Sequence, residues 1–193
     1  MSTEHESNTV NEGPATAIDT TESRRSTIDF GKAVGKIASM MQGDGLSTGD
    51  MAELRRISPD RPFTPALWRL LLTLELDESP EWLSQKTRER RWATLLMGMA
   101  HCAGLHDYHT SFGKALAEAG WSELRFVQLM RAKGQTLEKH LRRVAQFLSG
   151  KNQQANWVDV LWLLFSQSGE KGENIRLSIS RSYYSALYAA EQA

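Results

Sequence analysis

The stretch Ser122–Phe147, SELRFVQLMRAKGQTLEKHLRRVAQF, predicts two consecutive amphipathic helices. The second helix has an apolar face formed by Leu137, Leu141, Val144 and Leu148. Its opposite face is basic and carries Lys139, Arg142 and Arg143. On the first helix, residues at i, i+3 and i+6 form a polar row of Arg125, Gln128 and Arg131. Beside that row we expect a core face of Phe126, Val127 and Met130.

This stretch also concentrates positive charge in a chain with no net charge. From Glu123 to Phe147 there are six basic and two acidic residues, a net charge of +4. The whole chain of 193 residues is neutral, with −4 in residues 1–30, a balance over 31–119 and +4 in 120–193. The neutral total argues against a protein that coats nucleic acid indiscriminately, but it allows one directed basic face.

Cysteine content and hydropathy restrict the setting. Cys102 is the only cysteine, so the chain forms no internal disulfide and no cysteine-rich zinc site. The first ten residues, MSTEHESNTV, lack the features of a signal peptide, and no apolar run approaches the roughly 18 residues of a membrane span. We therefore expect a soluble, cytoplasmic protein that does not contact a membrane.

Helical periodicity dominates the chain after an acidic N-terminal segment. Residues 1–28 contain almost no large apolar side chains and are predicted to be a disordered tail. The first apolar stripe consists of Phe30, Val34, Ile37 and Met41. A short helix capped by Asp50 or a neighbouring Ser or Thr should then run through Arg56.

Capping residues and glycines predict where the later helices begin and end. Thr64-Pro65 and Ser79-Pro80 each place a capping side chain before a proline that suits the first helical position. The first should open a helix that is apolar almost all round and hence buried; the second should open a long helix that stops near Gly104.

A short helix should follow around Lys114–Ala119 and break at Gly120. Ser122 and Thr136 are predicted to cap the two basic helices, with Gly134 ending the first. A last helix should run from about Asn174 to Glu191. The predicted fold class is all-α, as one helical bundle or as two bundles joined near residue 115.

The order of several motifs resembles the small subunit of the type I-E CRISPR surveillance complex Cascade, the CasB family. The resemblance covers roughly residues 30–190. It is carried by GDMAELRR at 49–56, Pro65 with LWRL at 67–70, GKALA at 113–117, SELRF at 122–126, LMRA at 129–132, LRR at 141–143 and WVDVLWLL from Trp157. The acidic tail and the HDYHT stretch at 106–110 depart from the family pattern.

This resemblance implies the domain organisation and the function. It implies an N-terminal helical bundle at 29–115, a C-terminal bundle with a basic face at 116–193, and a non-catalytic role without a cofactor. The implied partners are crRNA, the target and displaced DNA strands of an R-loop, the crRNA-bearing backbone subunits, the large subunit and a second copy of the chain. Nucleic-acid contacts are implied for Arg55, Arg56, Arg125, Arg131, Arg142 and Arg143. Lys133 and Lys139 join this set because they neighbour the basic rows.

Other interpretations of the same residues stay open from the sequence. A basic helix face is often merely solvated, and Arg55 or Arg56 has Glu53 and Asp60 as possible ion-pair partners. The six tryptophans suit core packing better than base stacking; they are Trp68, Trp82, Trp92, Trp121, Trp157 and Trp162.

Two alternative functions remain. A free-standing helical DNA- or RNA-binding regulator would normally concentrate its basic residues on one recognition helix. A metal-dependent phosphohydrolase would use the cluster of His101, Cys102, His106, Asp107 and His109. The chain has no P-loop, nucleophile elbow or glycine-rich dinucleotide turn, which favours a protein that is not an enzyme.

Overall fold

The computed structural model describes residues 29–76 and 83–192. Its helices are α1 (Phe30–Gln42), α2 (Thr48–Arg56), α3 (Pro65–Thr73), α4 (Gln85–His101), α5 (Phe112–Glu118), α6 (Glu123–Arg131), α7 (Gly134–Gly150), α8 (Trp157–Phe165) and α9 (Gly169–Glu191). Within these residues there is no strand, only two isolated bridges. The predicted all-α class is confirmed. The predicted tail, Ser79-Pro80 and Trp82 lie outside the described residues. The long helix predicted to open at Ser79-Pro80 begins instead at Gln85, after Ser84, so that predicted start is wrong.

Local capping explains the first three helices. Asp29, Ser47 and Thr64 each accept a hydrogen bond from a backbone N–H in the first turn of α1, α2 and α3, respectively. The predicted Thr64-Pro65 start is thus confirmed. The predicted first apolar stripe is also confirmed, since all four of its residues are buried.

Helix α4 lies at the centre of the fold. Every residue from Trp92 to Ala100 is buried, and α4 packs against α2, α7 and α8. A helix that is apolar all round belongs in a core. It ends at His101, close to Gly104, which adopts a φ of +83°. The predicted stop near Gly104 is confirmed.

Helices α5 and α9 approach each other at backbone distance. An added Cβ at Gly113 would lie 2.1 Å from the carbonyl oxygen of Ile179, so only glycine permits this packing. The buried apolar residues form one contiguous cluster that runs from Phe30 to Tyr183. The division into bundles at 29–115 and 116–193 stays a prediction.

Several predicted details of the helices are wrong. Helix α6 ends before Ala132, and Gly134 begins α7 rather than ending α6, so Thr136 lies inside the first turn and is not a cap. Helix α9 begins at Gly169, earlier than the predicted Asn174. Helix α3 is not buried all round, because Trp68 is 37% exposed and Leu72 is 65% exposed.

Aromatic residues mostly serve the core, as predicted. Trp92, Trp121 and Trp157 are buried. Trp162 is partly buried, whereas Trp68 is exposed and stacks on Phe63 with ring centroids 5.7 Å apart. No helix within residues 29–76 and 83–192 is long and apolar enough to cross a membrane.

Candidate nucleic-acid interface

Helix α6 exposes the polar row that the sequence predicts. Arg125, Gln128 and Arg131 are exposed. The buried face consists of Phe126, Leu129 and Met130, so Leu129 takes the core position predicted for Val127. Ser122 is the residue that precedes the helix, as predicted, although its side chain makes no capping hydrogen bond.

Helix α7 packs its predicted apolar face, since Leu137, Leu141, Val144 and Leu148 are all buried. On the opposite side, Lys139 and Arg143 are exposed. Arg142 differs from them because it is half-buried and donates a hydrogen bond to the carbonyl oxygen of Ile57, at the end of α2. Only part of the predicted basic face of α7 is therefore free of protein contacts.

A groove between α6 and α7 brings Arg125 and Arg143 together. Its volume is about 410 Å³, and it is lined by Trp121, Arg125, Gln128, His140, Arg143, Gln146 and Phe147. None of these lining residues is acidic. The guanidinium of Arg125 lies over the Trp121 ring, 5.5 Å from its centroid. Trp121 in turn meets Phe147 edge to face, with centroids 4.9 Å apart.

The environment of the groove lowers the pKa of His140, the one histidine that lines it. Burial lowers the pKa of His140, and the neighbouring charge of Arg143 lowers it further. A negatively charged ligand in the groove would oppose the second effect. The groove thus favours an anion, and it offers both planar guanidinium groups and amide groups to bind it.

Arg131 and Lys133 occupy a different setting. They line a second depression, of about 530 Å³, beside the start of α9. Glu170, Glu173 and Arg176 line it too, so its charge is mixed. Both predicted residues are exposed, but they do not share the groove of Arg125 and Arg143.

Arg55 lies in the last turn of α2, and Arg142, from the middle of α7, reaches the same helix end at Ile57. The Arg55 Nε donates to the carbonyl oxygen of Ala100 at 2.8 Å, near the C-terminus of α4. Cations near helix C-termini interact favourably with the exposed carbonyls. Burial lowers the pKa of His101, and the nearby charges of Arg142 and Arg55 lower it further. Arg56 is exposed.

Glu53 and Asp60 are the acidic residues that could pair with Arg55 or Arg56. In the described part of the chain, neither forms a hydrogen bond with these arginines. Glu53 instead accepts a hydrogen bond from the backbone N–H of Ala66 at 3.1 Å. This contact ties α2 to the start of α3. Arg55 is tied to α4 by its carbonyl contact.

Sequence reasoning missed His140 and Gln146 as groove residues. His140, Arg143 and Phe147 recur at i, i+3 and i+7, a helical spacing that identifies one face of α7. The sequence alone groups Arg143 with Lys139 and Arg142 because all three are basic. The position of α6 decides which of these neighbours share a groove.

Three residues of the histidine cluster, His106, Asp107 and Cys102, have side-chain hydrogen-bond partners within the protein. The His106 Nδ1 accepts from the backbone N–H of Trp157 at 3.3 Å, and burial lowers the pKa of His106. Asp107 accepts hydrogen bonds from the His109 backbone and from the Thr110 hydroxyl. Burial raises the pKa of the Cys102 thiol to about 12. In the described part of the chain, no group of three or more His, Cys, Asp or Glu side chains is arranged to hold a metal ion.

Comparison with known proteins gives a family and two related folds. A family model described as CRISPR-associated protein Cse2 matches residues 50–184. The chain is similar to a chain of E. coli Cascade bound to a PAM-containing dsDNA target, with 20% identity, a TM-score of 0.62, and coverage of 80% of this chain and 96% of that one. It is also similar to CasB from Thermobifida fusca, with 18% identity, a TM-score of 0.61, and coverage of 80% and 94%. At these identities the likeness shows a shared fold. No curated protein sequence matches the chain significantly.

Proposed function

The chain belongs to the Cse2 family of CRISPR-associated proteins, and from that membership we propose that it is the non-catalytic small subunit of a type I-E Cascade complex in the cytoplasm. In this complex it steadies the target and displaced DNA strands of the R-loop through its basic helical surface. The family match carries the proposal, because it spans residues 50–184 and so includes the six arginines implied by the resemblance, together with the neighbouring Lys133 and Lys139. The family resemblance seen in the sequence is confirmed.

The proposed partners follow from the same membership. They are crRNA, the two DNA strands, the crRNA-bearing backbone subunits, the large subunit and a second copy of the chain. One structure of similar fold is a Cascade complex bound to a PAM-containing dsDNA target, which supports DNA as a partner.

The physical requirement of this role is modest. The RNA–DNA heteroduplex of an R-loop is about as stable as the DNA duplex that it replaces, so a few backbone contacts can shift the balance. Such contacts need positive charge and no reading of bases. Arginine suits them because its planar guanidinium binds a phosphate through two hydrogen bonds.

The exposed basic residues are the proposed phosphate contacts. Arg125 and Arg143 share a groove without acidic residues, which supports a direct contact with a strand. Arg56, Arg131, Lys133 and Lys139 extend this charged surface. Arg55 and Arg142 already donate to backbone carbonyls, so we propose that they also hold α2, α4 and α7 in position.

Reconstitution with neighbouring gene products tests the function. The complex purified with the chain should contain RNA of uniform length, and a complex assembled without it should bind target DNA more weakly. The matched control is the same complex with a DNA that lacks complementarity to the guide. A chain that purifies alone, carries no RNA and protects one duplex sequence would instead be a regulator. Stoichiometric zinc or manganese, together with hydrolysis that depends on His106 and Asp107, would support the phosphohydrolase.

A further inference from the structure

We propose that the groove between α6 and α7 binds one unpaired nucleotide of a single strand. The Arg125 guanidinium stacks on the base, and the Arg143 guanidinium donates hydrogen bonds to the phosphate of the same nucleotide. This inference rests on the proposed function, which by itself needs only contacts to the backbone of the strands. The additional element is a contact to a base that is not paired.

The first support is the way the protein holds Arg125. Trp121 is only 5% exposed, and its position is fixed by the edge-to-face contact with Phe147. The Arg125 guanidinium lies over this fixed ring while the residue as a whole is exposed. An arginine held over an aromatic ring loses less conformational freedom when it binds. Guanidinium planes are common stacking surfaces for unpaired bases.

The second support is the chemistry of the groove walls. Gln128 and Gln146 supply amide donors and acceptors, and Arg143 supplies a phosphate-binding fork. The groove therefore combines a cationic plane, an apolar floor at Phe147 and polar edges within about 410 Å³. That volume lies within the usual range for small-ligand sites. A nucleotide has the corresponding parts: a flat base, polar edges and an anion.

Two other depressions formed by the described residues lack this combination. The one beside Arg131 contains Glu170 and Glu173, which would repel a phosphate. The one between α5 and α9 is lined mainly by serine and alanine, and its Lys114 pairs with Glu118 at 3.6 Å. The α6–α7 groove differs from these two depressions because it is lined by two arginines and two aromatic side chains and by no acidic residue.

A comparison of two strands isolates the base contact. The full chain is titrated at about 50 mM salt with a fluorescent single-stranded oligonucleotide and with an abasic strand that has the same number of phosphates. Stacking of one base should favour the normal strand by roughly five- to 150-fold. Arg125→Lys keeps the charge but lacks the planar group, so this preference should fall towards one while the salt slope stays constant.

Lys139→Ala is the matched control, since Lys139 is exposed on α7 and does not line the groove. It should flatten the salt slope by about 0.7 for a lost single-strand phosphate contact and leave the preference for bases intact.

Equal affinity of the wild-type chain for both strands, or an unchanged preference in Arg125→Lys, would overturn the inference. Salt-dependent binding would persist in that case, and the proposed function would stand. Failure of the full chain to bind either strand would also overturn the inference, and the reconstitution described above would then decide the proposed function separately.

Discussion

Single replacement of Arg142 and of Arg143 by alanine should have opposite consequences, although the two residues are adjacent. Arg142 donates to the Ile57 carbonyl oxygen and is half-buried, whereas Arg143 is exposed. A hydrogen bond from a charged group contributes about 1.5–3 kcal/mol to the free energy of unfolding. Because Arg142 is partly exposed, we expect its contribution at the lower end of this range. In a chain of this size, about 1.5 kcal/mol corresponds to a decrease in Tm of roughly 3–6 °C. Arg143→Ala should change stability by no more than about 0.5 kcal/mol.

Nucleic-acid binding should be weakened more by Arg143→Ala than by Arg142→Ala. Arg143→Ala should flatten the plot of log affinity against log salt by about 0.7 for one lost phosphate contact on a single strand. Arg142→Ala should change this slope less, because its side chain already contacts protein. Thermal melts of the full chain and target-DNA titrations of the assembled complex at several salt concentrations measure both effects. Equal Tm decreases in the two variants would refute the assigned roles, as would a larger change of slope in Arg142→Ala.

Three further measurements address the fold. Gly113→Ala should lower the free energy of unfolding by about 1–3 kcal/mol or more, because the new methyl group meets the α9 backbone; Gly150→Ala, with nothing within 4 Å of its added Cβ, is the neutral control. Burial lowers the pKa of His106 from 6.5, so the unfolded chain binds more protons and Tm should fall as pH drops through about 6.5. His106→Gln should weaken this dependence of Tm on pH. A Tm that does not change with pH in the parent chain would contradict the prediction. Removal of residues 1–28 should leave Tm unchanged in calorimetry, because Asp29 still caps α1; a lower Tm would assign the segment a structural role.

Helical faces were predictable because they depend on local spacing. The stripe from Leu137 to Leu148 needs only the 3.6-residue period, and all its members are buried. The Thr64-Pro65 start was predictable for the same reason, since the Thr64 side chain bonds an N–H three residues away. Gly134 was misread because a glycine at positive φ can begin a helix as well as end one.

Contacts between distant segments were not predictable from periodicity. A helical wheel shows that Arg142 is off the apolar face, but not that Ile57 lies opposite it. Arg55 is a similar case, since Ala100 is 45 residues away in sequence. The groove also depends on the packing of α6 beside α7, which a pattern within either helix does not contain.

The same long-range contacts change the meaning of the net charge of +4 between Glu123 and Phe147. Glu138 is 8% exposed and forms an ion pair with Arg90 at 2.7 Å, so its charge is compensated inside the protein. The Arg142 side chain is also partly withdrawn from the surface, because it is half-buried and donates a hydrogen bond to the Ile57 carbonyl oxygen. Charges near the surface determine the field that a strand meets, because an internal ion pair largely cancels at a distance. The basic surface is therefore set by the exposed residues of α6 and α7, two of which, Arg125 and Arg143, share a groove that no acidic residue lines.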